Sequence, residues 1–216
     1  MRGVEIRDIQ ASEVVTAARV LARAFTTNPG MQAIFDDVSE EQRVDVLERL
    51  YIRFVEACRV GAIARCVLRD GRLLGAQLAY EPTQFPPEGD PGWMMLRGVL
   101  ETGLHYVHRI IIADVFLRSR HITEPHCYLF MLGVDPSAQG GGLGGALLRD
   151  FNRRAISHGV DAYLETDRPA AMAIYRRDHY RILREEVFNL QGNTRTWFML
   201  KPLSVLEEDE RRRAAH

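Results

Sequence analysis

Residues 127–145 constrain this chain more than any other stretch. Cys127-Tyr128-Leu129-Phe130-Met131-Leu132-Gly133-Val134 is an almost unbroken apolar run. Such a run reads as a central strand covered on both faces. Asp135-Pro136-Ser137 turns the chain, and Gln139-Gly140-Gly141-Gly142-Leu143-Gly144-Gly145 follows. Beyond it Leu143, Leu147, Phe151 and Ala155 recur every fourth residue, the spacing of one helix face, until His158-Gly159 stops it. A strand, a glycine-rich turn and a helix in that order make a specific device. Glycines allow positive φ and close approach of a ligand to the backbone. The free N–H groups and the dipole at the helix start attract an anion. A tight strand–helix turn with no ligand is the competing explanation. Against it, glycine is costly in a first helical turn, and no carboxylate stands among residues 139–145.

The anion is best read as a phosphate or pyrophosphate. A P-loop would end in Gly-Lys-Ser/Thr, whereas this turn continues Gly-Gly-Ala. A dinucleotide-binding turn would open an early βαβ unit. Gly140, Gly142 and Gly145 fit its spacing, but they come late in the 216 residues, which disfavours a dinucleotide oxidoreductase.

The rest of the chain reads as alternating elements of one mixed α/β domain over 1–203, followed by a charged tail over 204–216. Val4-Glu5-Ile6-Arg7 alternates as a short strand. Ser12 is a candidate N-cap for a helix with Val15, Leu21, Ala22 and Phe25 on its apolar side. Asn28-Pro29-Gly30 stops that helix. A second helix spans about 40–57, with Val44, Leu47, Leu50, Tyr51, Phe54 and Val55 at helical spacing. Strands at 62–68 and 73–80 flank Asp70-Gly71, a hairpin signal. Residues 81–92 are loop, and 93–120 predict one or two helices. Ala162-Tyr163-Leu164-Glu165-Thr166 is a strand, and Pro169 opens a short helix through Tyr175. A last hairpin, 187–190 with 196–200, turns around Gly192-Asn193. Residues 207–216 read as a solvated or frayed end.

Charge and cysteine content exclude several classes. The 28 Lys+Arg nearly cancel the 29 Asp+Glu, so no electrostatic footprint points to nucleic acid or to a membrane surface. Cys58, Cys66 and Cys127 are odd in number and show no metal-ligand spacing, which predicts no disulfide framework, no metal site and a cytoplasmic protein. The N-terminal residues are too charged for a signal peptide. No apolar run approaches the ~20 residues of a membrane helix.

Three linked motifs give the chain a family resemblance. Gln139-x-x-Gly142-x-Gly144 resembles the pyrophosphate signature of the GNAT (N-acetyltransferase) superfamily, and it follows the usual lead-in, Leu132-Gly133-Val134-Asp135-Pro136. Tyr163-Leu164-Glu165-Thr166 and Ile174-Tyr175-Arg176-Arg177-Asp178-His179-Tyr180 resemble the second conserved block. The wording of residues 125–166 is most similar to the puromycin acetyltransferase-like branch of bacterial enzymes.

The resemblance implies a mostly antiparallel mixed sheet flanked by helices, with a helical insertion before the cofactor-binding strand. It implies acetyl-CoA as co-substrate and a small or medium primary amine as acceptor, in a monomer or homodimer. Leu132, Gly133 and Val134 would bind the pantetheine arm. Gln139 would support the turn, and Gly140, Gly141, Gly142, Leu143, Gly144 and Gly145 would cradle the pyrophosphate. Tyr175 would protonate the departing thiolate. Glu165 or His126 would take the amine proton, and the resemblance leaves both open. Residues 81–124, with Phe85, Trp93, Met94, Met95 and Tyr106, would wall the acceptor pocket. Two departures stand out: His179 replaces a glycine, and Arg168-Pro169 stands where an asparagine is usual. Arg168 either reaches a phosphate or is solvated. The alternative function is a non-catalytic acyl-CoA-binding or sensor protein on the same fold.

Overall fold

A computed structural model describes residues 3–190 and 193–215. Seven strands form one sheet: β1 (Val4–Asp8), β2 (Ile63–Arg69), β3 (Arg72–Tyr80), β4 (His126–Val134), β5 (Asp161–Thr166), β6 (Arg181–Asn189) and β7 (Asn193–Lys201). Their order is β1-β2-β3-β4-β5-β7-β6, and every neighbouring pair is antiparallel except β4 with β5. The expected mostly antiparallel α/β sheet is therefore present.

Helices cover both faces. α1 (Val14–Phe25), α2 (Pro29–Ile34), α3 (Glu40–Gly61), α4 (Gly89–Glu101) and α5 (Leu104–Arg118) precede β4. α6 (Leu143–His158) lies between β4 and β5, α7 (Pro169–Arg177) follows β5, and α8 (Leu203–Ala214) ends the chain. One core joins Leu21, Leu47, Tyr51 and Val55 to Leu78, Tyr80, Tyr128 and Tyr163. A second core joins Phe151 and Ala155 of α6 to Cys127, Leu129, Ala162 and Leu164. Side chains such as Leu47 and Phe151, fully withdrawn from water, each contribute about 2–3 kcal/mol.

Local chemistry explains the joints. Asp70 and Gly71 both have positive φ, 51° and 74°, which suits the twist of a two-residue hairpin. At Gly133 of β4, a Cβ would stand 2.9 Å from the Ala24 Cβ. Two small residues thus let α1 lie directly on the strand.

Several sequence expectations change. Ser12 does not cap α1. It sits inside a 3-10 turn, Ala11–Glu13, and the Glu13 carboxylate accepts from the Gln10 N–H at 2.9 Å while Arg7 holds it at 2.7 Å. Val15 faces solvent. Asn28-Pro29 ends α1 but also starts α2, since the Asn28 side chain accepts from the Met31 N–H at 3.1 Å. The helix at 40–57 runs on to Gly61. The final residues are not frayed: α8 buries Leu206 and Asp209, and Asp209 pairs with the fully buried Lys201 at 2.7 Å. Gly192 of the last hairpin and His216 of the tail lie outside the described residues. Among the described residues, no helix is long and apolar enough to cross a membrane.

Candidate active site

β4 and β5 pair over only four residues of each strand. His126, Cys127, Tyr128 and Leu129 stand beside Asp161, Ala162, Tyr163 and Leu164. Beyond Leu129, β4 stays with β3, while Glu165 and Thr166 of β5 stay with β7. The two strands part, and the backbone of 130–134 lies along a cleft of about 480 Å³. Exposed peptide groups there demand partners, which makes such a gap a binding feature.

The glycine-rich turn forms one end of this cleft. Gly140 and Gly142 have φ of 79° and 80°, and Gly142 is the N-cap of α6 without any side-chain cap. The first intrahelical bond runs from the Ala146 N–H to the Gly142 carbonyl. The N–H groups of Leu143, Gly144 and Gly145 therefore have no intrahelical acceptor. No acidic side chain occupies the first turn. Gln139 Nε2 donates to the Val134 carbonyl at 3.0 Å, which ties the turn to the strand end. Two guanidinium groups flank it. Arg69 donates to the Gly141 carbonyl at 2.8 Å, and Arg149 reaches within 3.4 Å of where a Gly145 Cβ would lie. The bare N–H groups fit a pyrophosphate, and the two guanidinium groups add positive charge behind the turn without lining the cleft.

The side walls carry the titratable groups. Tyr175 of α7 lines the cleft, and burial pushes its phenol up to about 12, so it remains a proton donor at neutral pH. Glu165 lines it from the end of β5, with its side chain 6 % exposed. Oε2 of Glu165 accepts from the Tyr128 hydroxyl at 2.7 Å, and Oε1 from the Tyr163 hydroxyl at 2.8 Å. Burial first, then the Glu165 charge, holds both phenols well above the ordinary tyrosine range, so both act as donors. His121 Nδ1 lies 3.2 Å from the same Oε1. Asp167 sits at the far end, where it accepts from the Gly30 N–H at 2.6 Å and from Asn28. Burial raises its carboxyl above the usual range.

Among the sequence candidates, Leu132, Gly133, Val134, Gln139, Gly140, Gly142, Leu143, Gly144, Gly145, Glu165 and Tyr175 all line this cleft. Arg168 lines it too. Gly141 does not: it faces Arg69 on the outer side of the turn. His126 does not reach the cleft either. It begins β4 at the closed end of the split, with Nδ1 2.7 Å from the Glu124 carbonyl and Nε2 3.0 Å from His121 Nε2. Burial lowers its imidazole pKa. Nor do residues 81–124 wall the cleft, since among the described residues none of its lining comes from them. Phe85 instead packs on His121 and Tyr128, Tyr106 packs on Phe35, and Trp93 is 70 % exposed. Phe25 and Asn28, from α1 and its exit, take the wall position.

His121, Tyr128 and Tyr163 were not singled out from the sequence. The two tyrosines read as core, and His121 lay at the unmarked end of a helix. The usable signal was strand alternation, which puts Tyr163 and Glu165 on one face. His179 adopts the left-handed conformation of the glycine it replaces, φ 65°. Its imidazole bonds Asp209 at 2.8 Å, so the substitution fastens α8 to the end of α7.

Known proteins share the fold. A Corynebacterium glutamicum structure described as histone acetyltransferase and related acetyltransferase superposes with a TM-score of 0.63 at 20 % identity, covering 93 % of this chain and 96 % of that one. A putative acetyltransferase from Salmonella typhimurium, solved with its cofactor acetyl-CoA, superposes with a TM-score of 0.55 at 14 % identity, over 94 % and 95 % of the two chains. Mycothiol acetyltransferase of Saccharomonospora viridis is 39 % identical over 69 residues, 30 % of this chain and 22 % of that protein. The chain thus spans about a quarter or less of the curated relatives it matches. The pattern of the Acetyltransferase (GNAT) family matches residues 31–180, from α2 through the helix that carries Tyr175. The chain belongs to the Acetyltransferase (GNAT) family.

Proposed function

We propose that the chain transfers an acetyl group from acetyl-CoA to a primary amine of a small or medium molecule by direct attack of the amine on the thioester. The observation that carries this reading is the parting of β4 from β5. It opens one cleft lined by the glycine-rich turn, the Glu165 carboxylate and the Tyr175 phenol.

Acetyl-CoA supplies an activated acyl carbon on a thiol whose ordinary pKa, near ~8.5 by analogy with cysteine, makes it a tolerable leaving group. The backbone N–H groups of Leu143, Gly144 and Gly145 hold the pyrophosphate, and Gln139 keeps the turn in register with β4. The free edge of Phe130–Val134 binds the extended arm as an added strand would be bound. Glu165 accepts the amine proton. Tyr128 and Tyr163 fix its rotamer, so that its remaining acceptor capacity points one way. Tyr175 donates its phenolic proton to the departing sulfur. Phe25 and Phe130 give the acceptor an apolar wall, while Glu165 and Asp167 favour a cationic amine.

Calorimetry with acetyl-CoA, followed by thiol-release assays over a panel of alkyl and aryl-alkyl amines, tests the reading. Binding with turnover of at least one amine supports it. Binding without turnover across the panel would sink it in favour of a non-catalytic acyl-CoA-binding protein. No binding would reduce the glycine turn to a structural element.

A further inference from the structure

We infer that Glu165, His121 and His126 form a relay that carries the amine's proton from the cleft to the protein surface. The inference rests on the amine-acetylation reading above.

The demand comes from stoichiometry. An alkyl amine is an ammonium ion at neutral pH, its pKa being near ~10.4. Its N–H bond breaks so that the nitrogen lone pair can form the new C–N bond, and the C–S bond then breaks. The thiolate takes one proton from Tyr175, and Tyr175 regains one of the two that the ammonium nitrogen gives up. One proton remains over per turnover and must leave. Glu165 is its first acceptor, but that side chain is 6 % exposed and walled by Tyr128 and Tyr163. The buried carboxylate needs an exit.

The hydrogen-bond geometry supplies one. Glu165 Oε1 is 3.2 Å from His121 Nδ1, His121 Nε2 is 3.0 Å from His126 Nε2, and His126 Nδ1 is 2.7 Å from the Glu124 carbonyl. A carbonyl only accepts, so His126 Nδ1 carries a hydrogen and its Nε2 is bare when the ring is neutral. Neutral His121 then brings one hydrogen for two links. Either the link to His126 or the link to Glu165 lacks a proton, and two lone pairs face each other there. One added proton fills both links. The chain is therefore built to take up a single proton at the cleft end and pass it through His121 to the bare His126 Nε2. His126 then gives its Nδ1 hydrogen to water on leaving the Glu124 carbonyl, which lies on an exposed stretch with Pro125.

The surroundings favour transfer along this path. The His121 ring is 12 % exposed and is enclosed by Phe85, Tyr128 and Tyr163 at centroid distances of 4.7–4.9 Å. Those rings keep water from short-circuiting the links. The charged or titratable neighbours are Glu124 on the loop, Tyr128 on β4, Tyr163 on β5, Arg184 on β6 acting on Tyr163, and Arg118 of α5 over the far side of Phe85. Besides His121, Tyr128 and Tyr163 touch the carboxylate, and both are donors.

The test uses the whole chain and His126→Gln. A glutamine amide can donate to the Glu124 carbonyl and accept from His121, yet it cannot pass a proton on. With acetyl-CoA and an accepted amine in dilute buffer, kcat should fall about tenfold or more with KM for the amine unchanged, and added imidazole should restore it. An unchanged kcat and pH profile would overturn the relay, as would a loss that no concentration of imidazole repairs. A second measurement needs no turnover. In histidine-labelled protein, Glu165→Gln should shift the ring nitrogen resonances of His121 and His126 together, because the amide changes which His121 nitrogen carries the hydrogen. Resonances that stay in place, or of which only one moves, refute the coupling. If the wild type acetylates no amine, the functional reading fails, and the resonances alone decide whether the proton chain exists.

Discussion

Replacing Gly144 with glutamate separates what the glycine turn does for the fold from what it does for a ligand. Gly144 has no positive φ, and a Cβ there meets only Val134 and Leu132 at 3.6 and 3.8 Å, ordinary contact distances. The position is the second of α6, where glycine costs about 1 kcal/mol relative to a good helix former. A carboxylate in the first turn gains a further ~0.3–1 kcal/mol from the dipole. Together these favour the variant by about 1.3–2 kcal/mol, which for a chain of this size is a rise of about 3–8 °C in Tm. Binding should move the other way. A carboxylate about 4 Å from a phosphate opposes it by ~1 kcal/mol in water and ~4 kcal/mol at a partly shielded surface. The Kd for acetyl-CoA should rise between about fivefold and a thousandfold. Gly144→Gln, similar in size but neutral, controls for bulk and should keep most of the affinity. Thermal melting and titration calorimetry on the three proteins measure both quantities. A Gly144→Glu protein that is more stable and binds acetyl-CoA as tightly as the wild type would refute the assignment of this turn to the pyrophosphate. A protein that loses stability would refute the claim that the glycine is not needed by the fold.

Glu165→Gln keeps an acceptor for only one of the two tyrosine hydroxyls, its amide nitrogen having to donate to the other, and removes the proton acceptor, so kcat should drop by about 10²–10⁴ while calorimetric affinity for acetyl-CoA is kept. Tyr175→Phe should lower kcat about tenfold or more, and the wild type should show no alkaline loss from Tyr175 in a pH–rate profile below its pKa of about 12. For Asp209, burial would raise the carboxyl, but the bonds from Lys201 and His179 outweigh it and hold the pKa below the ordinary value. Its folded pKa is therefore depressed, and its stabilisation is present above pH ~4 and lost as pH falls through the folded value. Asp209→Asn should cost about 3 kcal/mol at pH 7 by denaturant titration, with the difference from wild type shrinking below pH 4.

The legible parts of the sequence were those where local pattern and tertiary role coincide. Cys127–Val134 is apolar because both faces are covered, and the glycines cluster because two of them need positive φ. Asp70-Gly71 specifies its own turn. The illegible parts depend on partners far along the chain. Asn28 and Asp167 meet across 139 positions, and no local signal says so. The charged stretch 207–216 looks solvated by composition, yet Lys201, hidden in β7, needs Asp209 as a counter-charge and pulls the helix in. Residues 81–124 read as pocket wall from their aromatics, but those rings are spent on covering the sheet and enclosing His121. His126 was visible as a titratable group at a strand head. Its position at the closed end of the split became visible only with the β4–β5 register.

That register divides the site into its two functions. In the paired half, Tyr128 stands directly beside Tyr163, and the next residue on the Tyr163 face is Glu165. Cross-strand pairing thus gathers two hydroxyls around one carboxylate at the point where pairing stops. In the unpaired half, the peptide groups of 130–134 are left for a ligand, and the turn that follows presents bare N–H groups. In the proposed reaction the reacting centre falls at the vertex between them, so that the acyl donor would arrive along one arm and the proton would depart along the other. A one-residue slip of β5 would send Glu165 to the opposite face, into the α6 core with Leu164's present neighbours, and would remove the acceptor and its supports at once. The buried pairs Cys127–Ala162 and Leu129–Leu164, packed under Phe151, resist that slip. The α6 core therefore protects Glu165 on the other side of the sheet by holding the register, while Tyr175 packs against that same core.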